Sequence, residues 1–163
     1  MEEDRRSARR ADHPHRDLRQ FLGDGRYGPL RAVFGDKIGT IDCTFRASGE
    51  PADMRLAIER IRAEAEAMAK GKQAEIFLTD EASGPDRIGV PMILAAAAVH
   101  THLTRKGLRS FTSINVRSAE CLDTHTLAVL IGVGATTVNP YLAEAALVAR
   151  HERGLYGDMP LDQ

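Results

Sequence analysis

Between Thr40 and Arg153, short apolar runs alternate with longer stretches in which apolar residues recur every three or four positions. Ile41, Cys43 and Phe45 alternate with polar neighbours across Thr40 to Phe45, the period of a strand with one apolar side, and this makes Cys43 a core thiol. After the turn Ala47-Ser48-Gly49-Glu50-Pro51, Met54, Ile58, Ile61, Ala65 and Met68 form one helical stripe. Gly71 ends that helix because glycine enters the left-handed region without strain, and Glu66 precedes Lys70 by four residues on its outer face. Glu75 to Asp80, with Ile76, Phe77 and Leu78 in succession, reads as a strand covered on both faces. Glu81 to Arg87 reads as a loop. Pro91 then suits the first position of a helix running to about Lys106, apolar nearly all round from Met92 to Val99 and so deeply buried.

Gly107 to Ala145 is the most informative stretch. Its apolar runs, Phe111 to Val116 and Ala135 to Val138, flank a helix capped by Asp123 and ending at Ile131, so a crossover joins two parallel strands. The fourth strand is Thr136 to Val138. Asn139 as N-cap and Pro140 in the first turn introduce a last helix, Tyr141 to about His151, stopped by Gly154. The order βαβαβαβα predicts an α/β fold of parallel β/α repeats with helices packed on the sheet. A chain of 163 residues suffices for one such domain but falls short of a closed β/α barrel of about 250 residues. Trp is absent, so Ala, Leu, Ile and Val must build the core.

Composition divides the chain further. Residues 1–38 interleave arginines and acids with glycines and read as a charged, loosely ordered arm, in which Glu2, Glu3, Asp4 and Asp12 partly cancel the field of Arg5, Arg6, Arg9 and Arg10. Residues 39–157 form the α/β domain and 158–163 a tail. A net charge of -1 gives nucleic acid and anionic membranes nothing to hold. No apolar run reaches the length of a membrane span, and the N-terminus is charged where a signal peptide needs an apolar core, which points to the cytoplasm, with Cys43 and Cys121 reduced.

Candidate chemistry is sparse. His100 and His102 would chelate a metal from a strand, but on a helix they lie about 200° apart, one towards the core rim and one towards solvent. Cys121 and His125 share a helix face if that helix starts early enough, giving two ligands of the four a structural zinc needs, or else a packed thiol and a capping or solvent histidine. Gly132-Val133-Gly134 follows a helix and precedes a strand, the reverse of a nucleotide-binding loop, and reads as a helix stop. Asp42, Asp80, Asn115, Arg117, Glu120 and Asn139 fall at or near the C-terminal strand ends, where α/β folds place ligands. Asp80, Asn115, Arg117, Glu120 and Asn139 are therefore the candidate ligand-binding residues of a small polar or anionic molecule, and the same positions suit N-caps, turns and one internal salt bridge. No complete catalytic set is present, and no residue qualifies as a cofactor or metal ligand.

Several long strings resemble one family. Gly107-Leu-Arg-Ser, Asn115-Val-Arg-Ser-Ala-Glu-Cys-Leu-Asp-Thr-His125, Ala128-Val-Leu-Ile-Gly-Val-Gly-Ala-Thr-Thr-Val-Asn139 and Tyr141-Leu-Ala are similar to the central domain of the glutamate synthase large subunit. The resemblance extends to Arg60-Ile-Arg-Ala-Glu-Ala-Glu66, Asp86-Arg87 with Pro91, Ala98-Val-His-Thr-His-Leu103 and Arg150-His-Glu-Arg-Gly-Leu155, spanning about Thr40 to Gly157. It implies a reduced or partial TIM-barrel-like domain related to FMN-linked oxidoreductases. It also implies a role in glutamate biosynthesis from glutamine and 2-oxoglutarate, with FMN and an iron-sulphur cluster held by other parts of the enzyme. On this resemblance the chain lacks the amidotransferase and FMN domains and acts as a connecting scaffold. Its partners are the remaining domains or subunits, with self-association through exposed domain interfaces. Two cysteines stand against the three the family's cluster requires, and Thr79-Asp80-Glu81 and His100-Thr101-His102 depart from the family's pattern. The alternatives are a free-standing small-ligand module and a metal-binding module through Cys121 and His125.

Overall fold

The computed structural model describes residues 33–46, 48, 50 and 52–157. The expected tail, and all but the end of the expected arm, lie outside the described residues. Six strands and four α-helices follow in order among the described residues: β1 (Ile38–Asp42), β2 (Thr44–Arg46), α1 (Ala52–Lys70), β3 (Glu75–Thr79), β4 (Arg87–Gly89), α2 (Met92–Arg105), β5 (Ser113–Arg117), α3 (Thr124–Gly132), β6 (Thr137–Asn139) and α4 (Tyr141–Glu152).

Four strands form one parallel sheet in the order β1-β3-β5-β6. Each new strand is added at the same edge, so crossovers of one hand place every connecting helix on one face. In agreement, α1 packs on α2 and α2 on α3. The sheet does not close among the described residues.

The register sorts the strand residues into two faces. Gly39 and Ile41, Ile76 and Leu78, Ile114 and Val116, and Val138 stand side by side on the apolar face. Beneath α1 and α2, Ile41, Ile76, Leu78, Ile114 and Val116 join Ile61, Ala65, Met92, Ala95, Ala96, Val99 and Leu103 in one core. A Cβ on Gly39 would lie 2.4 Å from Met68 Sδ, so glycine lets α1 settle close to β1. The opposite face carries Thr40 and Asp42, Glu75, Phe77 and Thr79, Ser113, Asn115 and Arg117, and Thr137 and Asn139. Its polarity is the property that the linear pattern of strand ends conceals.

Several local expectations need correction. The first strand does not continue to Phe45. Asp42 Oδ1 accepts from Thr44 N at 2.8 Å and Thr44 Oγ1 at 2.7 Å, which turns the chain at Cys43. Thr44–Arg46 then pairs antiparallel with Arg87–Gly89, so Arg87 lies in a strand rather than a loop. The buried residues of α1 are Ala57, Ile61, Ala65 and Ala69, with Ile58 and Met68 packed against the core, so the expected stripe holds except at Met54, which is exposed. The left-handed residue after α1 is Lys72, with φ 63°, rather than Gly71. Gln73 N closes this end by donating to Met68 O at 3.1 Å.

Phe111 stands outside β5 in a 3-10 turn, Arg109–Phe111, and is exposed. Arg109 holds that turn by donating to Thr112 O at 2.6 Å and Gly134 O at 2.8 Å. Helix α2 is buried on one side only, with Ile93 and Leu94 partly open. Asn139 is the last residue of β6 and Pro140 takes the N-cap position of α4. Asp123 caps α3 as expected, its carboxylate accepting from Thr126 N at 2.7 Å.

Candidate functional site

The strand ends that the sequence singles out converge where β3 and β5 run out. Asp80 follows β3 and is 4 % exposed. Ser118 Oγ donates to its Oδ2 at 2.6 Å, Ala119 N reaches both oxygens at 3.0 and 3.1 Å, and Tyr141 OH donates to Oδ1 at 3.0 Å. One carboxylate thus ties the ends of β3 and β5 to the start of α4. Sequence reasoning missed Ser118 and Tyr141. The available signal was a hydroxyl residue immediately beyond β5 and a phenol immediately beyond Pro140, both at the sheet end where a buried carboxylate needs donors.

Arg117 closes β5 on the polar face. It is paired with Glu81 at 2.9 Å and lies 5.4 Å from the Tyr141 ring centre. Glu120 reaches away from this group: its Oε2 accepts from Met92 N at 2.8 Å. Since Pro91 offers no side-chain cap, Glu120 supplies a carboxylate to the positive end of α2 from 28 residues along the chain. Asn139 Nδ2 donates to Glu144 Oε2 at 3.3 Å across the first turn of α4.

Asn115 lies at mid-strand rather than at the sheet edge. It is 2 % exposed, donates through Nδ2 to Glu75 Oε2 at 2.7 Å, and accepts from Thr137 Oγ1 at 2.6 Å. This chain of hydrogen bonds crosses β3, β5 and β6 on the polar face. Asp42 is drawn to the β2–β4 ribbon, where Arg87 Nη2 donates to its Oδ2 at 2.7 Å and Arg60 Nη2 donates to its carbonyl at 2.8 Å. The structure therefore brings Asp80, Arg117 and Asn139 to one end of the sheet and separates Asn115, Glu120 and Asp42 from them.

The histidines and cysteines occupy other places. His102 Nε2 lies 2.7 Å from Glu66 Oε2, in a clamp that also holds Lys70 at 2.6 Å and Lys106 at 3.5 Å. Glu66 is thus an interhelical group, 17 % exposed, rather than an outer-face residue, and its cationic and histidine partners draw its carboxyl down to about 2. His100 accepts from Arg109 Nε at 3.1 Å, so neither ring simply faces solvent. A Cβ on Gly134 would lie 2.2 Å from His100 Nδ1, which shows that this glycine gives room to a ring inside the fold.

Burial pushes the Cys43 thiol up to about 12, and burial also raises that of Cys121. Cys121 precedes Asp123, the N-cap of α3, so it shares no face of that helix with His125. Among the described residues no group of three or more His, Cys, Asp or Glu is placed to hold a metal ion. The cysteines do not fit an iron-sulphur cluster, since the chain has two and both are buried, and among the described residues Gly134 is packed against His100.

An open sheet whose strands are added in chain order, with helices on one face, defines a β/α-repeat domain. The glutamate synthase central domain family matches residues 21–161, and the chain belongs to that family. It is 54 % identical over 142 residues to the glutamate synthase [NADPH] large chain of Azospirillum brasilense, covering 87 % of this chain and 9 % of the relative. It is 35 % identical over 120 residues to the ferredoxin-dependent glutamate synthase of Pyropia yezoensis, covering 71 % of this chain and 8 % of that protein. With the glutamate synthase [NADH] of Schizosaccharomyces pombe the identity is 36 % over 111 residues, covering 68 % of this chain and 5 % of the relative. The chain spans less than a tenth of the length of these curated relatives. Among the described residues no helix is long and apolar enough to cross a membrane.

Proposed function

We propose that this chain serves as the central, connecting domain of a glutamate synthase large subunit. Its family role is glutamate biosynthesis from glutamine and 2-oxoglutarate, in the cytoplasm, with FMN and the iron-sulphur cluster carried by other parts of the enzyme. The domain, about residues 39–157, works as a scaffold that fixes the parts around it. The observation that carries this reading is the family match over 21–161 together with a strand-end carboxylate, Asp80, whose donors all come from this fold's own elements. A group so engaged maintains a rigid sheet end on which neighbours can be aligned.

The test is a hybrid in which this segment replaces its counterpart in the Azospirillum brasilense large chain. Glutamine-dependent glutamate synthesis is expected in the hybrid and not in the isolated chain. Synthesis by the isolated chain would refute the scaffold role. The free-standing ligand module is the second reading, favoured by the convergence of Asp80, Arg117 and Asn139 at one sheet end. It predicts that 2-oxoglutarate, glutamine, glutamate or FMN raises the melting temperature of the isolated chain.

A further inference from the structure

A helix at a protein surface turns charge outwards, and a helix that is apolar all round is one covered all round. Helix α1 follows the first pattern: it sets Arg55, Glu59 and Lys70 towards solvent while Ile61 and Ala65 enter the core. Helices α2 and α3 do not. In α2 no Asp, Glu, Lys or Arg stands before Arg105, its last residue, and α3 has none at all. Yet α2 buries Met92, Ala95, Ala96, Val99 and Leu103 against the sheet and leaves Ile93 and Leu94 open on its other side. Helix α3, packed beside it, buries Leu130 fully and exposes Ala128 and Ile131, the latter to 50 %. Leu122, 67 % exposed, lies at the start of α2, since its N–H donates to Glu120 O and the Glu120 carboxylate caps Met92. Glu120 and Asp123 border this surface, and each carboxylate is turned to a helix N-terminus.

The sequence of α2 and α3 suits burial on every side, and the described fold covers one side. We infer that the outer face of these helices, Ile93, Leu94, Leu122, Ala128 and Ile131, is a docking surface for an apolar, uncharged surface in the remainder of the glutamate synthase large chain. The occupant's chemistry follows from the face, because a charged partner would lose its hydration there and find no opposite charge to pair with. Its source follows from length. The chain spans less than a tenth of its curated relatives, so in a large chain the rest of the polypeptide is tethered near this face at an effective concentration on the order of millimolar. A second copy of this chain meets the face only at its bulk concentration and is the weaker competitor. The inference rests on the scaffold reading and names the side by which the scaffold is held.

Thiol labelling tests it, because Cys43 and Cys121 are buried and an introduced cysteine reports its own exposure. Leu94→Cys and Ala128→Cys probe the face, Glu59→Cys probes the outer side of α1, and each is read by peptide mass spectrometry in the isolated chain and in the hybrid large chain. All three should label fast in the isolated chain. In the hybrid the two face positions should label roughly tenfold or more slowly, with Glu59→Cys unchanged. Leu94→Glu puts a charge on a position already 41 % exposed, so it should leave the melting temperature of the isolated chain unchanged and restore fast labelling of Ala128→Cys in the hybrid. Equal labelling of the face in the two contexts, protection no greater there than at Glu59→Cys, or protection that survives Leu94→Glu would overturn the inference. So would protection that appears in the isolated chain as its concentration rises, which assigns the face to a second copy. The same substitutions at the counterpart positions of the Azospirillum brasilense large chain give the reading where the hybrid does not fold. Hybrid activity reports separately on the scaffold: an active hybrid with an open face rejects the docking surface alone, and an inactive hybrid with a covered face rejects the scaffold alone.

Discussion

At the scale of single residues, Asp80 is the position on which most depends. It receives Ser118, Ala119 and Tyr141 at a site closed to water. Removing it leaves buried donors unpaired, so Asp80→Ala should lower unfolding free energy by about 2–4 kcal/mol. Asp80→Asn, which keeps an acceptor, should cost less. Urea denaturation checks both, and an Asp80→Ala midpoint equal to the parent's would contradict this role. Gly134 is the second sensitive position, with φ 111° and His100 pressed against it. Gly134→Ala should destabilise the fold by ~2 kcal/mol through overpacking alone, with backbone strain adding to it, again measured by denaturation. Cys43, with no exposed surface and its thiol pushed up to about 12, should resist alkylation in the native chain and react on unfolding. Residue types at strand ends were legible in the sequence as polar groups near one sheet edge. The partners of Asp80 were not, because Ser118 and Tyr141 lie 38 and 61 residues along the chain and meet it only after the sheet assembles.

At the scale of elements, the α1–α2 pair is fastened by Glu66 against Lys70, His102 and Lys106. The carboxyl of Glu66 lies at about 2 rather than its ordinary 4.5, so the stability it contributes is fully present above pH 4.5 and is lost as pH falls towards 2. Glu66→Gln should flatten that part of the stability profile, measured by thermal unfolding between pH 2 and 6, and an unchanged slope would contradict the clamp. Lys72 occupies the left-handed position that closes α1, so Lys72→Gly should stabilise the chain by about 1 kcal/mol. Helix and strand identities were readable from periodicity, because burial on one side of a helix and on alternate strand residues leaves its mark on composition. The break at Cys43 was not readable, since Ile41, Cys43 and Phe45 keep the period of a strand while the Asp42–Thr44 hydrogen bonds redirect it into a second sheet. The expected stripe of α1 held at Ile61 and Ala65, with Ile58 and Met68 packed against the core, and failed at Met54. Periodicity marks large apolar residues such as Met54 and passes over the small ones, so the buried Ala57 and Ala69 were not singled out.

At the scale of the whole molecule, the described residues form a run of β/α repeats whose parallel sheet grows in one direction, β1-β3-β5-β6. Its polar groups hold its own sheet together. The most direct measurement is glutamine-dependent glutamate synthesis by the Azospirillum brasilense large chain carrying this segment, assayed beside the parent enzyme and the isolated segment. A connecting scaffold predicts synthesis in the hybrid comparable to the parent and none from the segment alone. A folded hybrid without synthesis, or a segment that makes glutamate unaided, would contradict it.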